Sequence, residues 1–357
     1  MKFDNLKIKF TLRKNRFLNK TFITSPRDVI FIDPTGLCNL ACRFCAYPKI
    51  KPGYAMDIDF FKKIVDEVSG IGFKKIFITP MLGDAFMDKT ILEKMNYLEQ
   101  HDKINEFSLY TNFVLVPSVE NLFEYSKLKE FAISLYGINE EDFILVTRKG
   151  KKQFESFLKN FKILTSLILD KKINCKIHIS IRSKVNDELL SLDENKRIQY
   201  ILNIKTEITD LIKKIYKFTN VRVSHAITTD TWLNTVTQKD VEPLGLKVSK
   251  AGPMLGPCNL IFNSIQIRYD GTVHACTRSV GNKLKIGDLK FNKINEILSY
   301  DNSEYKSLIE EQMQNKFSEE CKSCAHYRSI YKDFKFGHGT YGQIVSLDKA
   351  LEIIKNT

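Results

Sequence analysis

Short apolar runs alternate with amphipathic stretches along the first two thirds of the chain. Residues 29–32, Val-Ile-Phe-Ile, form a continuous β-rich run, the pattern of a parallel strand buried on both faces. Asp33-Pro34-Thr35-Gly36 breaks it. Residues 57–69 then carry Phe60, Phe61, Ile64, Val65 and Val68 at helical spacing, and Gly70 and Gly72 end that helix. Further strands are expected over 76–79, 107–111, 131–135, 175–181 and 221–226. Helices are expected over 90–100, 119–128, 154–167 and 198–218. Six such strand–helix units argue for an α/β architecture, a parallel sheet with right-handed crossovers.

Beyond residue 232 the pattern changes. Residues 233–257 hold Pro243, Gly245, Gly252, Pro253, Gly256 and Pro257 and read as a linker. Residues 265–269 and 272–275 flank Asp270-Gly271 and read as a β-hairpin. The expected organisation is an extension over 1–27, a parallel α/β domain over 28–235, a linker over 236–257, a small α+β domain over 258–330, and a tail over 331–357 with a helix at 346–355.

Composition narrows the setting. With 357 residues and 43% apolar content the chain can bury one large core and a second, smaller one. No run approaches the ~18 apolar residues of a membrane span, and the N-terminus lacks a signal-peptide core. The formal charge of +13 and pI of about 9.2 are spread along the chain. No dense basic block with interleaved aromatics marks a nucleic-acid surface, so the excess points at most to an anionic ligand. The eight cysteines cluster as cofactor ligands do, which places the protein in a reducing, cytoplasmic setting.

Cys38, Cys42 and Cys45 stand at the spacing C-x3-C-x2-C, directly after the first strand, and the next cysteine is Cys175. A [4Fe–4S] cube usually takes four thiolates. Three leave one iron open to a ligand. Core packing or a zinc site is the alternative, although zinc sites usually add a second pair close by. The spacing, with Phe44 before the last cysteine, resembles the signature of the radical S-adenosylmethionine (SAM) enzymes. That resemblance implies a partial (β/α)6 barrel whose open iron chelates SAM. It also implies reductive cleavage of SAM to a 5′-deoxyadenosyl radical, with an external one-electron reductant of the flavodoxin or ferredoxin type.

The resemblance also implies SAM contacts at the strand ends, where chemistry gathers in such barrels. Leu82-Gly83-Asp84 stands in place of a Gly-Gly-Glu-like motif, so Gly83 and Asp84 would meet the SAM amino group. Thr111-Asn112-Phe113 resembles a Thr-Asn-Gly element beside SAM, with Asn112 as the contact and Phe113 replacing glycine. Ser134 would meet the SAM carboxylate or ribose; Arg182 would meet the SAM carboxylate or else a helix-surface carboxylate, and Arg148 is a weaker candidate with a plain salt bridge as the alternative. An arginine at a strand end is costly to bury without an anion. His225 and Trp232, the sole tryptophan, follow the sixth strand and either line a substrate mouth or pack in the core.

Cys258, Cys276, Cys321 and Cys324 form a second set, in which the hairpin would bring Cys258 and Cys276 together and Cys321-x2-Cys324 would close a four-thiolate site. Four thiolates suit zinc or an iron–sulfur cluster. The arrangement resembles the SPASM/twitch extensions of radical SAM enzymes, which implies one fully ligated auxiliary [4Fe–4S] cluster in a twitch-like domain. His274 and His326 lie near this set. Cys175 falls in a buried strand and is expected to be inert.

The reaction implied is hydrogen abstraction from a small molecule, a sugar, nucleotide or aminocyclitol, followed by oxidation or epimerisation. An epimerase needs a hydrogen donor, and Cys175 is the one cysteine outside both sets. The alternatives are a maturase acting on a ribosomal peptide, and a non-catalytic iron–sulfur or zinc protein.

Overall fold

The computed structural model describes residues 29–329 apart from 233, 250, 251 and 253. The N-terminal extension over 1–27 and the tail helix at 346–355 lie outside the described residues. Six strands, β1 (Ile30–Ile32), β2 (Lys75–Phe77), β3 (Glu106–Thr111), β4 (Leu128–Tyr136), β5 (Lys176–Arg182) and β6 (Val221–His225), pair in chain order, and every pair is parallel. This is the open parallel α/β arrangement expected of a partial barrel. Outward-facing Ile177, Ile179 and Ile181 of β5 are buried, while His178, Ser180 and Arg182 between them are half-buried. The sheet thus has an apolar outer face under helices and a more polar inner face. On that inner face Ser134, Ser180 and Ser224 stand in one row across three strands.

Helices cover the outer face. Helix Ile58–Gly70 begins at Asp57, whose carboxylate accepts from the backbone N–H groups of Asp59 and Phe60, a cap worth about 1 kcal/mol. It buries Phe61, Ile64, Val65 and Val68, as its periodicity foretells. Helix Ile91–Gln100 buries Ile91, Met95 and Leu98, and also Lys94, which is fully enclosed and paired with Asp88. Helix Lys151–Leu169 supplies Phe157, Phe161 and Leu164 to the core.

The long helix expected over 198–218 is two helices, Glu194–Asn203 and Glu207–Ile215. The break needs neither glycine nor proline. The Thr206 side chain accepts from the backbone N–H of Thr209, and Thr209 returns the bond to Thr206, a reciprocal cap that starts a new helix. The expected linker over 236–257 is likewise corrected. Val236, Val241, Leu244 and Leu246 are buried. The segment folds back through β7 (Thr228–Thr229), which pairs with β8 (Lys247–Val248).

The small C-terminal unit adds β9 (Gln266–Ile267), β10 (Thr272–His274) and β11 (Lys285–Asp288), with β10 antiparallel to both its neighbours. The expected hairpin around Asp270-Gly271 is present. Its first strand also pairs in parallel with β1, through Phe31 opposite Gln266 and Ile32 opposite Ile267. The sheet therefore runs without a break as β11-β10-β9-β1-β2-β3-β4-β5-β6. Among the described residues no helix is long and apolar enough to cross a membrane.

Candidate functional site: two cysteine loops and the segment between them

The loop carrying Cys38, Cys42 and Cys45 lies beyond the C-terminal end of β1 and is held by its backbone. Ala41 N–H donates to Thr147 O at 3.1 Å and Arg43 N–H to Val146 O at 3.0 Å. Arg43 Nε donates to Leu145 O at 2.9 Å, and Arg148 Nε to Ala41 O at 2.6 Å. These partners end helix Glu140–Thr147, an element absent from the sequence expectation although Asn139 caps it ahead of Glu140, Glu141 and Asp142. Arg148 therefore secures the loop backbone.

Burial pushes the Cys38 thiol up to about 12, with Asp84 and Cys45 adding to the rise. Cys42 is raised by burial and by the charges of Cys45 and Cys38. The three thiols are thus within electrostatic reach of one another. Thiols so placed ionise only against a cationic partner. Sulfur acceptors are already served: Leu40 N–H lies 3.5 Å from Cys38 Sγ, and Tyr47 N–H 3.4 Å from Cys45 Sγ. Among the described residues no three His, Cys, Asp or Glu side chains close on a single-ion point. The donor set, three mutually sensed thiols on one loop, fits a cube with one open iron.

The strand-two end approaches this loop closely. Gly83 has φ +153°, and a Cβ there would lie 2.8 Å from Leu37 O, so no other residue fits without displacing the cysteine loop. Asp84 N–H donates to the same carbonyl at 2.8 Å. The Asp84 carboxylate is buried and turned away from open space. It accepts from Thr111 Oγ1 at 2.9 Å, Asn112 N–H at 2.6 Å and Phe86 N–H at 3.1 Å. Its side chain supports the β3 end, which differs from the direct contact to an ammonium expected of it.

Asn112 in turn reaches the cysteine loop. Its Nδ2 donates to Asn39 Oδ1 at 2.7 Å and lies 3.9 Å from Cys38 Sγ. Phe113 has φ +61°, the left-handed conformation that favours glycine. Its ring is fully buried, 5.7 Å from Phe131, and that burial holds the unfavourable backbone. Ser134 sits on the inner face of β4, two residues before Tyr136. Tyr136, missed in the sequence reading, packs 5.6 Å from the Phe44 ring, and its hydroxyl slightly offsets the rise of the Cys42 thiol. Opposite it in register, Arg182 places its guanidinium 4.7 Å above the Phe44 ring. No carboxylate pairs with Arg182 among the described residues.

The second set gathers in the C-terminal unit. Burial raises all four thiols, Cys258 to about 11 and Cys324 to about 12, and Cys276 is raised further by Cys258, Cys324 and Cys321. Buried Gln312 ties two members together: its Oε1 accepts from Cys258 N–H at 2.9 Å, and its Nε2 lies 3.7 Å from Cys321 Sγ. No local motif marks Gln312, which lies on helix Ser303–Met313. His274 is a satisfied core residue, with Nδ1 2.9 Å from Ser279 Oγ and Nε2 3.2 Å from Thr272 Oγ1. Cys175 precedes β5, at the end remote from Arg182, about 20 Å away along an extended strand.

Residues 229–232 join the two loops. Thr229 Oγ1 and Trp232 Nε1 donate to Phe44 O at 3.3 and 3.0 Å. Thr231 Oγ1 donates to Ser323 O, inside Cys321-x2-Cys324, at 3.2 Å. His225 is buried, with Nε2 3.4 Å from Ser183 Oγ and Nδ1 without a partner.

Comparison with known proteins agrees with this geometry. The radical SAM superfamily matches residues 32–192, and an iron–sulfur cluster-binding SPASM domain matches residues 258–325. A GTP 3′,8-cyclase of Desulforamulus reducens is 32% identical over 124 residues, 34% of this chain and 38% of that protein. One from Clostridium botulinum is 24% identical over 307 residues, 80% of this chain and 93% of that protein. The chain thus spans well under half of the first relative and nearly all of the second. The solved structure of anSMEcpe with bound AdoMet superposes with a TM-score of 0.52 at 14% identity, covering 93% of this chain and 96% of that one. The likeness extends to the fold. With a SAM-binding [4Fe–4S] loop at its N-terminal end and an auxiliary cluster domain at its C-terminal end, the chain belongs to the radical SAM superfamily.

Proposed function

We propose that the protein removes a hydrogen atom from an sp3 carbon of a nucleotide-type small molecule and completes a net dehydrogenation. Cluster-bound SAM supplies the hydrogen-abstracting radical. The substrate carbon would lose one hydrogen atom, its neighbouring hydroxyl one proton and the pair one further electron, and Cys258, Cys276, Cys321 and Cys324 would hold the auxiliary cluster that could accept that electron. The nucleotide class rests on the GTP 3′,8-cyclase relatives, and sequence kinship favours it over the peptide alternative.

The observation that carries oxidation over epimerisation is the position of Cys175. It is buried at the far end of β5 and cannot return a hydrogen to a substrate held at the strands' C-terminal ends. Four thiols at the second site leave no iron open there, so that cluster is suited to taking up an electron. Within the barrel, Arg182 is the anion partner for the SAM carboxylate, with Ser134 beside it. Asn112 and the backbone at Gly83 line the other side, and Asp84 orients Asn112. A reductant of the flavodoxin or ferredoxin type supplies the starting electron, and a cytoplasmic setting suits both clusters.

The test is anaerobic reconstitution, dithionite reduction and chromatography for 5′-deoxyadenosine with a panel of nucleotides. Two cubes require about eight irons per chain. A nucleotide that drives 5′-deoxyadenosine formation and loses two mass units supports the reading. Deoxyadenosine formation with product isomeric to substrate overturns oxidation.

A further inference from the structure

Between the two cysteine loops lies a carboxylate that the fold does not use. Asp230 is 6% exposed, and neither oxygen has a hydrogen-bond partner. The backbone N–H groups of Thr231, Trp232 and Ala325 face it, as does the charge of Arg278, yet none closes a hydrogen bond to it. His326 approaches it, with Nε2 3.6 Å from Oδ2. Burying a carboxylate without hydrogen bonds is strongly unfavourable. Such a group survives in a fold when something outside the chain completes it.

Its neighbours are arranged around the same space. Residues on either side of Asp230 are fixed: Thr229 and Trp232 to Phe44, and Thr231 to Ser323. The Arg278 guanidinium lies 5.3 Å above the Trp232 ring, two residues after Cys276, and forms no ion pair among the described residues. Arg278 and Arg182 are close enough for each to disfavour the other's charge. Arg182 and Arg278 repel each other, and the one nearby carboxylate, Asp230, can offset only one of the two positive charges. A ligand that carries anionic oxygens and a hydroxyl or amine would relieve both.

We propose that Asp230 and Arg278 form a substrate subsite between the two cysteine loops. The carboxylate accepts from a hydroxyl or amine of a nucleotide, and the guanidinium binds its phosphate. This rests on the function proposed above and names how that substrate is held. Trp232 supports the site by carrying Arg278 on its ring face while its N–H anchors the cysteine loop.

The experiment is thermal unfolding of the cluster-loaded, SAM-bound protein, with and without GTP, ATP, CTP and UTP and their monophosphates. The wild type is compared with Asp230→Asn and Arg278→Gln. Asp230→Asn is expected to unfold at or above the wild-type temperature, because it removes an unpaired buried charge. At least one nucleotide is expected to raise the wild-type midpoint by several degrees. That shift should fall at least threefold in each variant. A lowered midpoint in Asp230→Asn would show that the carboxylate is a structural partner of His326 and Arg278, and would overturn the proposal. So would the absence of any nucleotide shift in the wild type, or a shift that both variants retain. The 5′-deoxyadenosine assay on the same samples reports the radical chemistry separately. Its failure beside intact nucleotide shifts would overturn the proposed reaction and leave the subsite standing.

Discussion

The carboxylate of Asp84 accepts the backbone N–H of Asn112 at 2.6 Å, and Asn112 in turn donates to Asn39 in the cysteine loop at 2.7 Å. A residue at the end of β2 thereby positions one at the end of β3, which positions the iron-binding loop. Asp84→Ala would strand the buried Thr111 hydroxyl and the N–H groups of Asn112 and Phe86. The expected loss is about 3 kcal/mol of stability. Thermal unfolding and iron content of the reconstituted variant check it. Iron loss should fall on the three-cysteine site, leaving the four-cysteine site filled.

Gln312 makes a different prediction, because it touches ligands of the second site only. Gln312→Leu removes an N–H donor from Cys321 Sγ and leaves Cys258 N–H without its acceptor. Hydrogen bonds to cluster sulfur raise the reduction potential. The auxiliary cluster of the variant should therefore titrate at a more negative potential, and the SAM-binding cluster should not move. Redox titration followed by electron paramagnetic resonance separates the two. The unpaired amide adds about 1–3 kcal/mol of destabilisation.

Cys175→Ala should leave both deoxyadenosine formation and product identity within about twofold of wild type. The side chain is buried before β5 with its thiol pushed up to about 12 by burial. Removing one small buried sulfur costs about 1–2 kcal/mol. Product analysis in deuterium oxide is the check: a substrate-derived product with solvent deuterium that disappears in the variant would assign Cys175 a hydrogen-donor role.

His225 links stability to pH. Burial, with Arg197 and Arg182 nearby, lowers it from 6.5 to about 4. The folded protein keeps it neutral, while the unfolded chain takes up a proton as pH falls through about 6.5. Stability is therefore fully present above that value and declines between about 6.5 and 4, by up to about 3 kcal/mol. Urea unfolding at pH 7.5 and 5.5 should show a smaller difference in His225→Gln than in the wild type.

Much of this architecture is legible in the residues, and the exceptions share a cause. The β-rich runs, the helix over 57–69 and both cysteine loops sit where local pattern places them, because each depends on neighbours in the chain. Helix Glu140–Thr147 carried its own signal, Asn139 ahead of three acidic residues, but its apolar residues lack a clear face. Lys94 defies its residue type, since Asp88 and the Met56 carbonyl capture its ammonium in the interior. The functional neighbours Tyr136, Asp230, Arg278 and Gln312 acquire meaning only through distant partners. Asp84 was placed by the resemblance alone, and the partners of its carboxylate, Thr111, Asn112 and Phe86, come from the folded sheet end.

The pairing of β9 with β1 has a consequence for dissecting the protein. Phe31 and Ile32 lie in an edge that the C-terminal hairpin covers, and Tyr269 wedges between Gly36 and Gly53 at the root of the iron-binding loop, where a Cβ on either glycine would meet its ring within 2.3 Å. A chain cut before residue 258 would bare a parallel edge, an invitation to intermolecular strand addition. Truncation should yield aggregates rather than a minimal catalytic barrel, and the two cluster domains should melt in a single cooperative transition.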